Sequence, residues 1–160
     1  MIQLQEIGII HSPFKEAAGT PIQPIMAYGM KGTVEVFPEF REGLKDLDGF
    51  ERIWLIYCFH LAKPATLLAK PFLDTVEHGI FAIRGPSRPN PIGMSCVKLI
   101  SVNDGLLQVS EIDVIDGTPL LDIKPYVTRF DSYDNIKCGW TDNIRPSENT
   151  VADTRFCGNS

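Results

Sequence analysis

No stretch of this sequence stays apolar for the roughly 20 residues that a membrane-spanning helix requires. The first residues, Met1-Ile2-Gln3-Leu4-Gln5-Glu6, carry neither the basic start nor the long apolar core of a secretory signal. A cytoplasmic location is the expectation. Histidine is scarce at 3 residues, and the 4 cysteines (Cys58, Cys96, Cys138 and Cys157) include no Cys-x-x-Cys pair. The spacings that build zinc sites are missing, and no metal is expected. A disulfide between Cys138 and Cys157 has no supporting pattern. Positive charge is in deficit too: 15 Lys and Arg stand against 20 Asp and Glu, a net charge of −5. This argues against a broad electrostatic grip on nucleic acid and leaves only local patches, from residues such as Lys31, Lys63, Lys70, Arg84 and Arg88.

Signature loops are absent as well. No Gly-x-Gly-x-x-Gly follows a strand and no Gly-x-x-x-x-Gly-Lys-Ser/Thr occurs, so neither a dinucleotide fold nor an NTPase loop is supported. Ser87 and Ser95 lack the Gly-x-Ser-x-Gly elbow of a hydrolase nucleophile. Alternating βαβ units are missing, which excludes a doubly wound parallel sheet.

What is present reads as one β-rich domain. Hydrophobic residues make up 44% and charged residues 22% of the chain, ordinary values for a globular protein. Residues 4–11 predict a first strand, 13–31 a long loop, and 31–37 an alternating strand. Pro38 suits a helix start, and Phe40, Leu44 and Leu47 make one apolar stripe up to Gly49, so a helix is expected to cover or plug the sheet. The run Ile53-Trp54-Leu55-Ile56-Tyr57-Cys58-Phe59 predicts a strand buried on both faces and ends in His60. Residues 62–76 are irregular, with a short helix expected around Ala65–Ala69. Two long strands, 92–102 and 106–115, flank Asn103-Asp104-Gly105, a strong hairpin signal. A last strand runs over 121–127. From about residue 131 the chain becomes polar, with Ile136, Trp140, Ile144 and Phe156 as anchors. It reads as a tail (131–160) wrapped on the surface or docked on a second subunit, partly disordered at its end, after a domain spanning 1–130. The fold class is mainly β, a closed or nearly closed barrel with one or two short helices and an irregular C-terminal tail.

Between His78 and Gly93 an apolar strand is expected to break into a loop with three prolines, Arg84, Arg88 and Asn90. Proline stiffens it, and two guanidinium forks suit either a polar ligand site or a rigid connection. Gln23, His60, Arg84, Arg88, Asn90, Asp113 and Asp116 all fall at strand ends, which a barrel gathers at its mouth.

Four ordered blocks carry a family resemblance. They are Ile7-Gly8-Ile9-Ile10-His11-Ser12-Pro13-Phe14-Lys15; Phe81-Ala82-Ile83-Arg84 with Arg88-Pro89-Asn90-Pro91-Ile92-Gly93-Met94-Ser95; Asp113-Val114-Ile115-Asp116-Gly117-Thr118-Pro119; and Asp122-Ile123-Lys124-Pro125-Tyr126. Together they resemble the TrmO (TsaA-like, YaeB) family of S-adenosylmethionine-dependent tRNA methyltransferases. The resemblance implies a single-sheeted β-barrel, a homodimer, and N6-methylation of a threonylcarbamoyl-adenosine beside the tRNA anticodon. It implies cofactor contacts at Gln23, Pro24, Ile25, His60, Leu61, Arg84, Met94, Ser110, Glu111, Ile112 and Asp113. Ile25 stands where a glycine is expected and Leu61 where a polar residue is, positions at which backbone contact serves. Arg88, Asn90 and Lys124 are candidates for substrate binding. Asn90, Asp116 and Tyr126 are open candidates for the group that accepts the amine proton. Asp113 and Asp116 are also the kind of residue that caps a turn. Longer family members continue into a C-terminal domain that helps grip tRNA, whereas here a polar tail follows in an acidic chain. Alternatives are a small-molecule or other RNA acceptor, and a non-catalytic S-adenosylmethionine-binding regulatory module.

Overall fold

The computed structural model of the chain describes residues 1–144 and 150–157. Six strands close into an antiparallel barrel: β1 (Gly8–His11), β2 (Lys31–Val36), β3 (Arg52–Cys58), β6 (Ile92–Asn103), β7 (Leu106–Ser110) and β8 (Thr118–Pro125). Two short strands outside it, β4 (Leu68–Ala69) and β5 (His78–Gly79), pair with each other. The barrel order is β1-β2-β7-β6-β3-β8, and β8 returns to β1.

Alternation explains the closure. Along β6, Gly93, Ser95, Val97 and Leu99 are buried while Ile92, Met94, Lys98 and Ile100 are exposed. Ile10, Val34, Val36, Ile53, Leu55, Val97, Leu107, Val109 and Leu120 fill the interior, each at most 1% exposed. The β6–β7 hairpin turns at Asp104 and Gly105, with φ of 46° and 79°, the left-handed pair that the Asn-Asp-Gly sequence favours.

Several expectations need correction. The run 53–59 is not buried on both faces: in β3, Ile53, Leu55 and Tyr57 point inward while Trp54, Ile56 and Cys58 are half-buried outside. Apolar residues on the partly covered outer wall erased the period-two signal. The helix expected over 38–48 is two 3₁₀ turns, Pro38–Leu44 and Leu47–Gly49, broken at Asp46 with φ of 66°. It still plugs one barrel end, where Leu47 is buried and Phe40, Leu44 and Phe50 pack on the core. No helix forms at 65–69, where Leu68–Ala69 is a strand. The apolar segment 78–83 is two residues of strand and a 3₁₀ turn, Ile80–Ala82. The first strand begins at Gly8 rather than residue 4, and the strand expected over 106–115 ends at Ser110 because Glu111 adopts a φ of 66°. All four cysteines are free.

The C-terminal segment packs on its own chain. Bridges join Pro21 to Val151 and Ala62 to Cys157, Trp140 stacks on His78 at 4.6 Å, and Phe156 and Cys157 are buried. The disorder expected at the extreme end concerns residues 158–160, which lie outside the described residues.

Gly93 is needed where it pairs with Tyr57 across β6 and β3: a Cβ there would collide with the rings of Tyr57 and Phe59. Gly93→Ala is expected to cost about 1–3 kcal/mol through overpacking, measured as a lower midpoint in chemical denaturation.

Candidate functional site

The barrel is plugged at one end and open at the other. At the open end β3 finishes with Cys58 opposite the first residue of β6, Ile92. Segments from residues 12–30, 59–91 and the C-terminal region fold over this mouth around a second small core of Ala17, Ala69, Ile80, Ile83, Phe156 and Cys157. Between the two cores lies a cleft of about 710 Å³, within the ~300–1,000 Å³ range of small-molecule sites. Phe59, Leu61, Phe72, Phe81, Ile115, Trp140 and Phe156 give it apolar walls, and Gln23, His60, Arg84, Arg88 and Asp113 put polar groups among them.

Asp113 sits where the chain crosses the mouth between β7 and β8. Its Oδ1 accepts a hydrogen bond from Ser95 Oγ at 2.6 Å, and Ser95 Oγ lies 2.9 Å from the Tyr57 hydroxyl. Burial pushes the Asp113 carboxyl up to about 7, opposed by the Ser95 hydroxyl, its own amide and the charge of Arg84. Burial also pushes the Tyr57 phenol far above its ordinary value, and Asp113 adds to this. His60 is held below its usual range by burial, with the Cys58 backbone and Glu6 pulling the other way, and its Nδ1 lies 3.4 Å from Thr118 Oγ1.

The proline-rich loop is both stiff and tied. Nη1 of Arg88 donates to the carbonyls of Ile80 at 3.3 Å, Ile83 at 2.9 Å and Gly85 at 3.3 Å. Ser87 Oγ donates to the Phe156 carbonyl at 2.9 Å. The loop thereby presents Arg84, whose Nη1 donates to Gln23 Oε1 at 2.9 Å.

Of the residues singled out in the sequence, Gln23, His60, Leu61, Arg84, Arg88, Met94 and Asp113 come together in the cleft. The others do not line it. Pro24 is buried and Ile25 is 85% exposed in the 3₁₀ turn Pro24–Met26. Ser110 ends β7, Glu111 pairs with Arg52 at 2.8 Å, and Ile112 is a fully buried core residue. Asn90 is exposed beside β6, its carbonyl accepting from the Ile92 amide at 2.7 Å. Asp116 fastens the turn after β1, accepting from the Ser12 amide at 2.9 Å and the Lys15 ammonium, which hold its carboxyl below the usual range. Lys124 pairs with Asp122 at 2.9 Å, and Tyr126 lies 5.9 Å from Trp54, both toward the plugged end. Sequence reasoning assigns Tyr57 and Ser95 no role in the site and takes Trp140 and Phe156 only as apolar anchors of the tail. Alternation along β3 and β6 is the available signal for the first two; no local pattern places the others in the cleft.

Burial of Asp113 carries a stability consequence. The folded protein holds that proton more tightly than the unfolded chain, whose Asp titrates near ~3.9, so stability falls as pH rises from about 4 to about 7. Asp113→Asn keeps an oxygen for Ser95 and removes the charge. It is expected to melt several degrees higher than wild type at alkaline pH, with the difference vanishing in acid; thermal melts across pH measure it.

The tRNA-methyltransferase O N-terminal domain family model matches residues 9–132. A probable S-adenosyl-L-methionine-binding protein of Pyrococcus abyssi is 52% identical over 157 residues, covering 98% of this chain and 85% of that protein. The human tRNA (adenine(37)-N6)-methyltransferase is 36% identical over 139 residues, 82% of this chain but 32% of that enzyme. Among solved structures, TrmO from Pseudomonas aeruginosa superposes with a TM-score of 0.77 at 38% identity, over 91% of this chain and 65% of that one.

Proposed function

We propose, because the chain belongs to the tRNA-methyltransferase O family, that its cleft binds S-adenosylmethionine and directs methyl transfer to N6 of an adenosine beside the tRNA anticodon, a threonylcarbamoyl-adenosine in the finer form of this reading. The observation that carries it is the donor set at the mouth. Among apolar walls stand the Asp113 carboxyl and the Arg84 guanidinium, while the cleft's other such groups are engaged, Asp153 with Arg155 and Arg88 with three carbonyls; this fits a ligand bearing an ammonium, a carboxylate, a ribose diol and a flat base.

When bound, the cofactor supplies an electrophilic methyl on sulfur. Asp113 and Arg84 would hold it, and it would supply the methyl carbon that the acceptor nitrogen takes in exchange for its N6 proton. The protein's part is to align the reactants. Alignment supplies up to ~7–11 kcal/mol in favourable intramolecular cases, and a loop tied by Arg88 to three carbonyls is suited to it. In this reading Arg84 holds the cofactor carboxylate, Gln23 orients Arg84, and His60, Leu61 and Met94 contact the rest of the ligand.

Arg84→Ala is expected to weaken S-adenosylmethionine binding by tenfold or more in isothermal titration, as loss of a charge-assisted pair does. Absence of binding by the wild type rejects the reading. Nucleoside mass spectrometry of tRNA incubated with protein and cofactor tests the acceptor: a methylated threonylcarbamoyl-adenosine is the expected product, and unchanged tRNA points to another acceptor or a regulatory role.

A homodimer belongs to the same reading, supported by exposed apolar side chains on β6: Ile92 and Met94, which also line the cleft, and Ile100, at 38%, 46% and 56% exposed. Light scattering is expected to give twice the chain mass.

A further inference from the structure

Two hydroxyls, on β3 and β6, are buried among the aliphatic side chains of the barrel. Ser95 is 1% and Tyr57 5% exposed. Phenylalanine and alanine would fill the same space without polar groups to satisfy, and a buried hydroxyl costs about 1–3 kcal/mol when unpaired. The hydroxyls are not needed to pack the core. They form a directed chain instead. An ionised carboxylate only accepts, so Ser95 Oγ donates to Asp113 Oδ1 at 2.6 Å, and the Tyr57 hydroxyl donates to Ser95 Oγ at 2.9 Å. Gly93 makes the room that the Tyr57 ring occupies. The chain begins in the core and ends at the one cleft carboxyl that joins none of the ion pairs among the described residues.

We infer that Tyr57 and Ser95 are positioning residues, a buried hydroxyl chain that fixes one oxygen of the Asp113 carboxylate and leaves the other to accept from the cofactor's ammonium or ribose hydroxyls. This rests on the cofactor reading above. The charged or titratable groups acting on Asp113 are Arg84, from the proline-rich loop, and Tyr57, from β3. Arg84 favours the ionised carboxylate, and the Ser95 hydroxyl favours it further. Removing the Ser95 hydroxyl makes the carboxylate harder to ionise, so cofactor affinity falls away at a higher pH.

The test is calorimetric titration of S-adenosylmethionine and of 5′-methylthioadenosine, which has the ribose but no ammonium, across a neutral pH range. Wild-type affinity is expected to rise with pH through the Asp113 transition. In Ser95→Ala that rise moves up by about one pH unit, which makes binding about tenfold weaker on the acid side of the transition. Tyr57→Phe, nearly isosteric, moves it the same way by less and keeps the test available if Ser95→Ala does not fold. The ligand's own titration is common to all three proteins, so the difference between them belongs to the protein. A pH-dependent affinity for both ligands places the ribose at Asp113; dependence for S-adenosylmethionine alone places the ammonium there. Coincident profiles for wild type and both variants overturn the positioning role, as does a flat wild-type profile with both ligands. A wild type that binds neither ligand rejects the cofactor reading instead.

Discussion

Closure of the barrel depends on β1, which is only four residues long and bonded on both sides. It pairs with β2 through Gly8–His11 and with β8 through Gly8–Ile10. Gly8 permits this because a Cβ there would overlap the Glu35 carbonyl oxygen. Without β1 the sheet has two free edges, each a row of unpaired amides and carbonyls. The reach of β1 extends past its last residue. Ser12 Oγ donates to the Val114 carbonyl, the Gly117 amide to the Ile10 carbonyl at 2.9 Å, and the Asp116 amide to the Phe14 carbonyl at 2.7 Å. These bonds clamp the segment carrying Asp113. Barrel closure and carboxylate placement are one constraint.

The cleft follows from the asymmetry of the two barrel ends. One end is stopped by the turns around Leu47. The other is roofed by segments too irregular to fill it, so a gap remains between two cores. The wall on the C-terminal side comes from Trp140 and Phe156, beyond the stretch that matches the family domain. That segment is fastened by the Trp140 indole N–H to the Ala82 carbonyl at 2.8 Å and by the Lys63 amide to the Phe156 carbonyl at 2.8 Å.

Much of this was legible from residues alone. The Asn103-Asp104-Gly105 hairpin, the long β6, the plug and the barrel class followed from turn chemistry and alternation. Where the reading slipped, long-range contacts outweighed local pattern. Trp54 and Ile56 look like core residues because the outer wall is partly covered. Glu111 turns left-handed opposite Arg52, so Asp113 lies on a loop over the mouth instead of at the end of a strand. The roof at Trp140 and Phe156 has no periodic signal, since its partners lie in distant loops. Motif resemblance brought Gln23, His60, Arg84, Met94 and Asp113 to attention, and the fold gathers them. The same resemblance includes Ser95 at the end of its second block without giving it a role and leaves out Tyr57; both are buried.

Because the cleft draws its walls from near both ends of the sequence, no partly folded fragment contains it. Ala17, Phe59, Ile83, Asp113, Trp140 and Phe156 all contribute. A molecule seated there recognises the completed fold and nothing earlier, so its affinity is added to the stability of the whole chain. At a free concentration 100 times its dissociation constant, such a ligand raises the free energy of unfolding by about 2.7 kcal/mol. The occupant acts as a clasp between the N-terminal loop and the C-terminal roof, and occupancy sets how long the chain survives heat and proteases.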